Sequence, residues 1–466
     1  MEHAVVAHHR RRLRHRGHEA TLDAPAGGWA SGDPPPRPGS TVDVLVDGAA
    51  ALPRLADAIA AAESHVHLAG WHFSPDFALR RGDDTSVVRN LLAETAERVP
   101  TRVLAWAGPP LPLFRPSRSV VRQMRDALTS GTRVQCALDS RERPMHCHHE
   151  KIAVIDDRTA FVGGIDLTSL AGDRLDVSSH PARATVGWHD ASVMLRGPAI
   201  GDVAEHFAMR WREVTGERLA APETPAPEED GIEAQIVRTI PEHVYDAVPE
   251  GDFRILESYV RALRGAQHLI YLESQFLWSP ELARILINKL RDPPSDRFRL
   301  VVLLPAKPNN GNDDTRGVLG ELIEADGDAG RFLACTLYAR HGRLADPVYV
   351  HAKIGIVDDR WLTVGSANLN DHSLFNDTEM NVVVHDAALA RQTRLRLWAE
   401  HLERPVDEVA GEAADVVDSL WRPIAGEQLE RRRHGAPLEH RLVRLPHVSR
   451  RTDRLRGPVN GLLVDG

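Results

Sequence analysis

Two short segments pair an imidazole with an ammonium two residues on: His149 with Lys151, and His351 with Lys353. On an extended strand alternate residues share a face, so each pair points one way. Lysine offers a point charge for a phosphate oxygen, and histidine offers a nucleophile or a proton. One such pair binds a phosphate. Two facing pairs can carry out an in-line displacement, one histidine attacking phosphorus while the other protonates the leaving oxygen. The two rings must then hold opposite protonation states, which calls for a carboxylate behind each. Asp190, in GWHDASVML, and Glu379, in NDTEMNVVV, each stand just before an apolar run and are the expected partners.

The pairs lie in an internal repeat. HEKIAVIDDRTAFVGGIDLTSL from His149 aligns without a gap on HAKIGIVDDRWLTVGSANLNDH from His351, a constant offset of 202 residues. Asp156 and Asp358 fall seven residues past each histidine and are counted with the catalytic motif, although that distance suits fixing the turn after the strand. Gly164, Ser366 and Asn368 follow in small-residue turns and are expected to approach phosphate oxygens. Asn368 has the carboxylate Asp166 as its counterpart, so the halves are not chemically equivalent.

Elements that position these residues can be read outward from the motifs. HVHLAGWHFSP from His65 matches LIYLESQFLWSP from Leu269, and each is followed by an apolar run, a helical stripe and a second run. Val120, Val121, Met124 and Leu128 form one stripe; Val318, Leu319, Leu322 and Ile323 form the other. Alternating strands and helices predict an α/β protein of two pseudo-twofold related sandwich domains with mixed, mostly parallel sheets. The expected boundaries are a disordered arm over 1–40, a first domain over 41–216 and a Pro/Ala/Glu-rich linker over 217–232. A second domain over 233–422 and a basic tail over 423–466 complete the chain.

The chain has 466 residues, 42% of them hydrophobic and 26% charged, which is ordinary globular composition. A net charge of -9 gives no overall match to nucleic acid. Three cysteines cannot build a disulfide framework, and no apolar stretch reaches bilayer length. The expectation is a cytoplasmic monomer that works from a membrane surface. His146, Cys147, His148 and His149 invite a metal reading, but neighbours on a strand face opposite ways, so no metal and no cofactor are expected there. His148 is expected to pack behind the site, and His189 and His372 to lie at the surface or behind it. Trp71, Phe73, Phe276 and Trp278 read equally as groove lining or as core.

H-x-K-x-x-x-x-D, twice, with a small-residue turn after each, resembles the phospholipase D superfamily. YVHAKIGIVDD, VGSANLNDHS and NDTEMNVVV are similar to the second catalytic region of eukaryotic-type phospholipases D; HCHHEKIAVIDD, FVGGIDLTS and GWHDASVMLRGPA are similar to the first. The stretch LAGDRLDVSSHP departs from that pattern. The resemblance implies a covalent phosphohistidine on His149, His351 as the acid, Lys151, Lys353 and Asn368 on the phosphate, and no required metal. It implies a glycerophospholipid substrate, with water or an alcohol as acceptor. A cardiolipin synthase-type phosphatidyltransferase is the alternative, and a nuclease is third.

Overall fold

The computed structural model describes residues 2–110, 116–143, 145–308 and 312–446. Helix α1 (Glu2–His15) comes first. The first half runs β1 (Arg37–Val46), α2 (Gly48–Ala60), β2 (Val66–Gly70), α3 (Val88–Ala96), β3 (Thr101–Trp106), α4 (Arg118–Thr129) and β4 (Gln135–Asp139). It continues through β5 (Lys151–Ile155), β6 (Thr159–Gly163), β7 (Trp188–His189), β8 (Ala191–Arg196) and α5 (Ala199–Thr215). The second half runs β9 (Ile232–Ile240), β10 (Asp252–Phe253), α6 (Arg254–Gly265), β11 (Leu269–Glu273), α7 (Pro280–Arg291), β12 (Arg299–Leu303) and α8 (Asn312–Asp326). Then come β13 (Phe332–His341), β14 (Leu344–Pro347), β15 (Tyr349–Val350), β16 (Ile354–Val357), β17 (Trp361–Gly365), β18 (Glu379–His385) and α9 (Ala387–His401). A helix over Arg422–Arg433 and strand β19 (Leu442–Arg444) follow.

The repeat in sequence is a repeat in topology. The first sheet is ordered β1-β8-β6-β5-β2-β3-β4 and the second β9-β18-β17-β16-β11-β12-β13, with β1 joined to β9. Both are mixed. Within these two sheets parallel pairing is confined to β2-β3-β4 and β11-β12-β13, the flank built from β-α-β crossovers; the motif hairpins and their neighbours pair antiparallel. Strands β7 and β15 form a separate parallel pair between the halves. Helical crossovers are what parallel neighbours require, and tight turns are what hairpins require.

The halves share one core cluster, and each also packs a cluster of its own. Ile152, Val154, Val162 and Val193 of the first sheet pack in one apolar cluster with Ile354, Val364, Met380 and Val382 of the second, and Phe207 and Trp398 seal it. Of the expected helical stripe, Val121, Met124 and Leu128 are buried but Val120 is exposed. Residues 217–228 carry no regular secondary structure.

The N-terminal arm corrects the expectation of disorder. Leu13 and Leu22 are buried against α6, and Arg12 donates to Glu242, Asn376 and the Phe375 carbonyl, so the basic run is a packed helix. Three of its basic side chains, His9, Arg12 and Arg16, pair with carboxylates of the second half, His9 with Glu281 at 2.7 Å, while Arg10 and Arg14 pair with Asp23 and Glu19 inside the arm. The basic tail is likewise partly structured: β19 adds antiparallel to β13. Residues 447–466 lie outside the described residues.

Candidate active site

Each motif histidine sits just before its strand, with the lysine as the strand's first or neighbouring residue. The backbone fixes these positions crosswise. His149 N and Glu150 N both donate to Thr378 O, at 2.9 and 3.0 Å, while His351 N and Ala352 N both donate to His189 O, at 2.8 and 3.0 Å. Thr378 and His189 directly precede Glu379 and Asp190. Each histidine is therefore stitched to the residue before the other half's carboxylate.

The side chains follow. His149 Nδ1 donates to Glu379 Oε1 at 3.0 Å, and His351 Nδ1 donates to Asp190 Oδ2 at 2.6 Å. The two imidazole centroids are 6.5 Å apart, at an interplanar angle of 67°. Lys151 Nζ and Lys353 Nζ each donate to the carbonyl of their own motif histidine. Lys151 also lies 3.5 Å from Asp166 Oδ2. All four motif side chains are at most 7% exposed, so their charges act in a water-poor setting.

The electrostatics follow from that burial. Burial raises the Asp190 carboxyl to about 7 against the opposing pull of Lys353, and raises Glu379 to about 8 against Lys151 and the hydroxyls of Ser366 and Ser373. Burial lowers the Lys353 ammonium to about 7 despite Asp190. His351 is pushed well below its ordinary value by burial and then by Lys353, Arg174, Lys151 and His149. The carboxylates are thus strong bases that grip the Nδ1 proton and leave Nε2 rich in electrons.

Several expected residues have different work. Asp156 accepts the backbone N–H groups of Glu63, Ser64 and His65, and Asp358 those of Gln267, His268 and Leu269. Both lie at the far end of the motif strand, so they do not join the histidines. Asp156-Asp157 and Asp358-Asp359 all have φ between 51° and 57°, the left-handed pair a two-residue hairpin demands. Ser366 Oγ donates to Glu379, and a Cβ on Gly164 would fall 2.2 Å from Asp190 Oδ1. These small residues make room for, or brace, the carboxylates. Asn368 Nδ2 lies 3.4 Å from Gln275 Oε1.

Other contributors left little trace in the sequence. Ser373 Oγ donates to Glu379 Oε1 at 2.6 Å. The Trp188 ring lies 4.5 Å from that of His351, and the Arg174 guanidinium lies 3.2 Å above Trp188. Arg174 is 4% exposed and its Nε and Nη1 have no hydrogen-bond partner among the described residues. It comes from 170–181, the stretch that departs from the resembled pattern. Glu150, between the motif residues, faces away and meets Arg210 and His206 of α5. His148 bonds Thr378 Oγ1, and of the two places expected for His189 it takes the one behind the site, fully buried. Phe73 belongs to the first half's core cluster and also lines an apolar crevice together with Lys151 and Asp166, and Phe276 is buried.

Residues 259–399 match the family model described as "Cardiolipin synthase, PLD-like domain". Phospholipase D2 of Bos taurus is 25% identical over 76% of this chain and 50% of its own length. Phospholipase D A of Dictyostelium discoideum is 25% identical over 79% and 36%. The chain thus spans half or less of these two relatives. The major cardiolipin synthase ClsA of Bacillus subtilis is 24% identical over 79% of the chain and 72% of its own length. The crystal structure of phosphatidylserine synthase from Haemophilus influenzae has the same fold, with a TM-score of 0.57 at 12% identity, covering 91% of this chain and 95% of that one.

Proposed function

Because this chain belongs to the phospholipase D superfamily, we propose that it is a phosphodiesterase that moves the phosphatidyl group of a glycerophospholipid onto water or an alcohol. The observation that carries this reading is the crossed pair His149–Glu379 and His351–Asp190, with the imidazoles 6.5 Å apart.

The Nε2 lone pair of His149 attacks phosphorus while the P–O bond to the headgroup breaks, and the leaving oxygen takes a proton from His351. Water or an alcohol then gives its proton to His351 and attacks phosphorus, breaking the P–N bond. Lys151, Lys353 and Arg174 neutralise the non-bridging oxygens. The same three cations depress His351 before substrate arrives. An anionic phosphodiester among them offsets that effect and lets His351 carry the proton it must donate.

Leu170, Val177 and Val186 are exposed on the segment that bears Arg174, which suits contact with acyl chains or a bilayer surface. Among the described residues no helix is long and apolar enough to cross a membrane. The enzyme is proposed to act at a membrane surface from the aqueous side. A phosphatidyltransferase of the cardiolipin synthase type is the second reading, favoured by the family description matched at 259–399.

The deciding assay supplies phosphatidylcholine with a primary alcohol, and separately phosphatidylglycerol alone. Phosphatidyl alcohol that vanishes in His149→Ala and His351→Ala supports the first reading. Cardiolipin from phosphatidylglycerol supports the second. DNA cleavage with no lipid turnover overturns both.

A further inference from the structure

Behind Asp190, four side chains from four segments converge. Asp47 comes from the junction of β1 and α2, His180 from the loop before β7, His189 from β7 itself and Glu400 from α9 of the other half. One ligand-type atom from each lies within 4.8 Å of every other. His180 Nε2 is 3.2 Å from Glu400 Oε1 and 3.8 Å from Asp47 Oδ2; His189 Nδ1 is 3.6 Å from Glu400 Oε1. Four ligands about 2.0–2.1 Å from a tetrahedral ion are spaced roughly 3.3–3.5 Å from one another. The cluster is already near that spacing.

From this geometry we propose that Asp47, His180, His189 and Glu400 form a structural site for a single zinc ion. Two imidazoles and two carboxylates are a zinc donor set, and four protein ligands leave no open position for substrate. The surroundings fit as well. A ligating histidine fixes its orientation by donating its other ring N–H to a carboxylate. Here His180 Nδ1 meets Asp176 Oδ2 at 3.0 Å, and His189 Nε2 meets Glu273 Oε2 at 2.8 Å. Arg183 braces Asp176, while Tyr271 and His401 brace Glu273. Asp47 Oδ2 points into the cluster, buried, without a hydrogen-bond partner among the described residues.

The consequence for the active site is positional. His189 O receives the two backbone N–H groups that seat His351, and Asp190 N donates to Asp47 Oδ1 at 3.2 Å. A metal here pins the strand that carries Asp190 and ties the first half to α9 of the second. The equivalent seat in the other half is Thr378, which offers no imidazole.

The test is metal content of the full chain produced in zinc-supplemented medium, measured by plasma mass spectrometry, with a chelated and refolded sample titrated with cobalt. The expectation is close to one zinc per chain in the wild type and in His146→Ala, which alters the separate group of His146, His372 and Asp377, and under about a tenth of that in His180→Ala and Glu400→Ala. Cobalt should give the intense visible bands of a four-coordinate ion without a thiolate charge-transfer band. Zinc added to chelated wild type should raise Tm by roughly 5 °C or more. If the alanine variants do not fold, wild-type content and the Tm response still decide. Wild-type protein with no metal above background and no Tm response overturns the proposal and leaves a proton-bridged network. Metal retained in folded His180→Ala and Glu400→Ala also overturns it.

Discussion

Glu379 of the second half accepts the Nδ1–H of His149 of the first, at 3.0 Å. The reciprocal pair, His351 with Asp190, crosses in the opposite direction. Neither half therefore holds a complete histidine–carboxylate unit, and each step of the proposed reaction draws on both.

That crossing makes a leaving-group test informative. With a natural phospholipid, Asp190→Asn and His351→Ala should each lower turnover by about 10²–10⁴-fold, the usual range for acid–base assistance. With a p-nitrophenyl phosphodiester, whose leaving group needs no proton, both should recover most of the rate of phosphoenzyme formation. Glu379→Gln and His149→Ala should not recover. Recovery in the second pair instead of the first would assign the nucleophile to His351.

Arg174 should matter although no motif marks it. Arg174→Met removes one buried cation near His351, and kcat/KM for phospholipid should fall about 10–100-fold, as for loss of a charged hydrogen-bonding contact. Arg174→Lys should recover only part, because the stem lacks the planar fork that lies over Trp188. Wild-type kinetics in Arg174→Met would remove it from the phosphate site.

Acid should unfold the protein through Glu150. Burial would raise this carboxyl, but Arg210 and His206 outweigh it and hold it at about 2, below the ordinary 4.5. A depressed carboxyl stabilises the fold above its unfolded value, and that contribution is lost as pH falls from about 4.5 toward 2. The difference corresponds to about 3 kcal/mol. Urea midpoints for wild type should drop across this window. Glu150→Gln should already be weaker at pH 7 and respond less to acid.

Asp156 and Asp358 offer a way to separate structure from chemistry in the motif. Each accepts three backbone N–H groups at the far end of the strand. Asp156→Ala should cost about 2–3 kcal/mol in denaturant unfolding. Turnover per folded molecule should stay within about threefold of wild type at low temperature. A large loss of kcat with unchanged stability would return Asp156 to the catalytic group.

Deleting residues 1–18 should lower Tm by several degrees, because it removes Leu13 from the core and leaves Glu242 without Arg12. An unchanged Tm would mean the arm contributes nothing to the fold.

The sequence alone determined the repeat, the strand–helix–strand run and motif strand of each half, and the chemical types at the site, but not β1, α2 and α3 or β9, β10, α6 and α7. What it determined is local: periodicity sets the elements, and a gapless 202-residue offset sets their correspondence. It also named both carboxylates, because Asp190 and Glu379 hold equivalent places before equivalent strands. It could not say which histidine each would serve. Partner choice depends on how two sheets face each other across one shared core, and no spacing within either half encodes that. The same reason hid Arg174, the packed arm and the cluster of Asp47, His180, His189 and Glu400. Each joins residues far apart in the chain, whose meeting is fixed only when the halves close on each other.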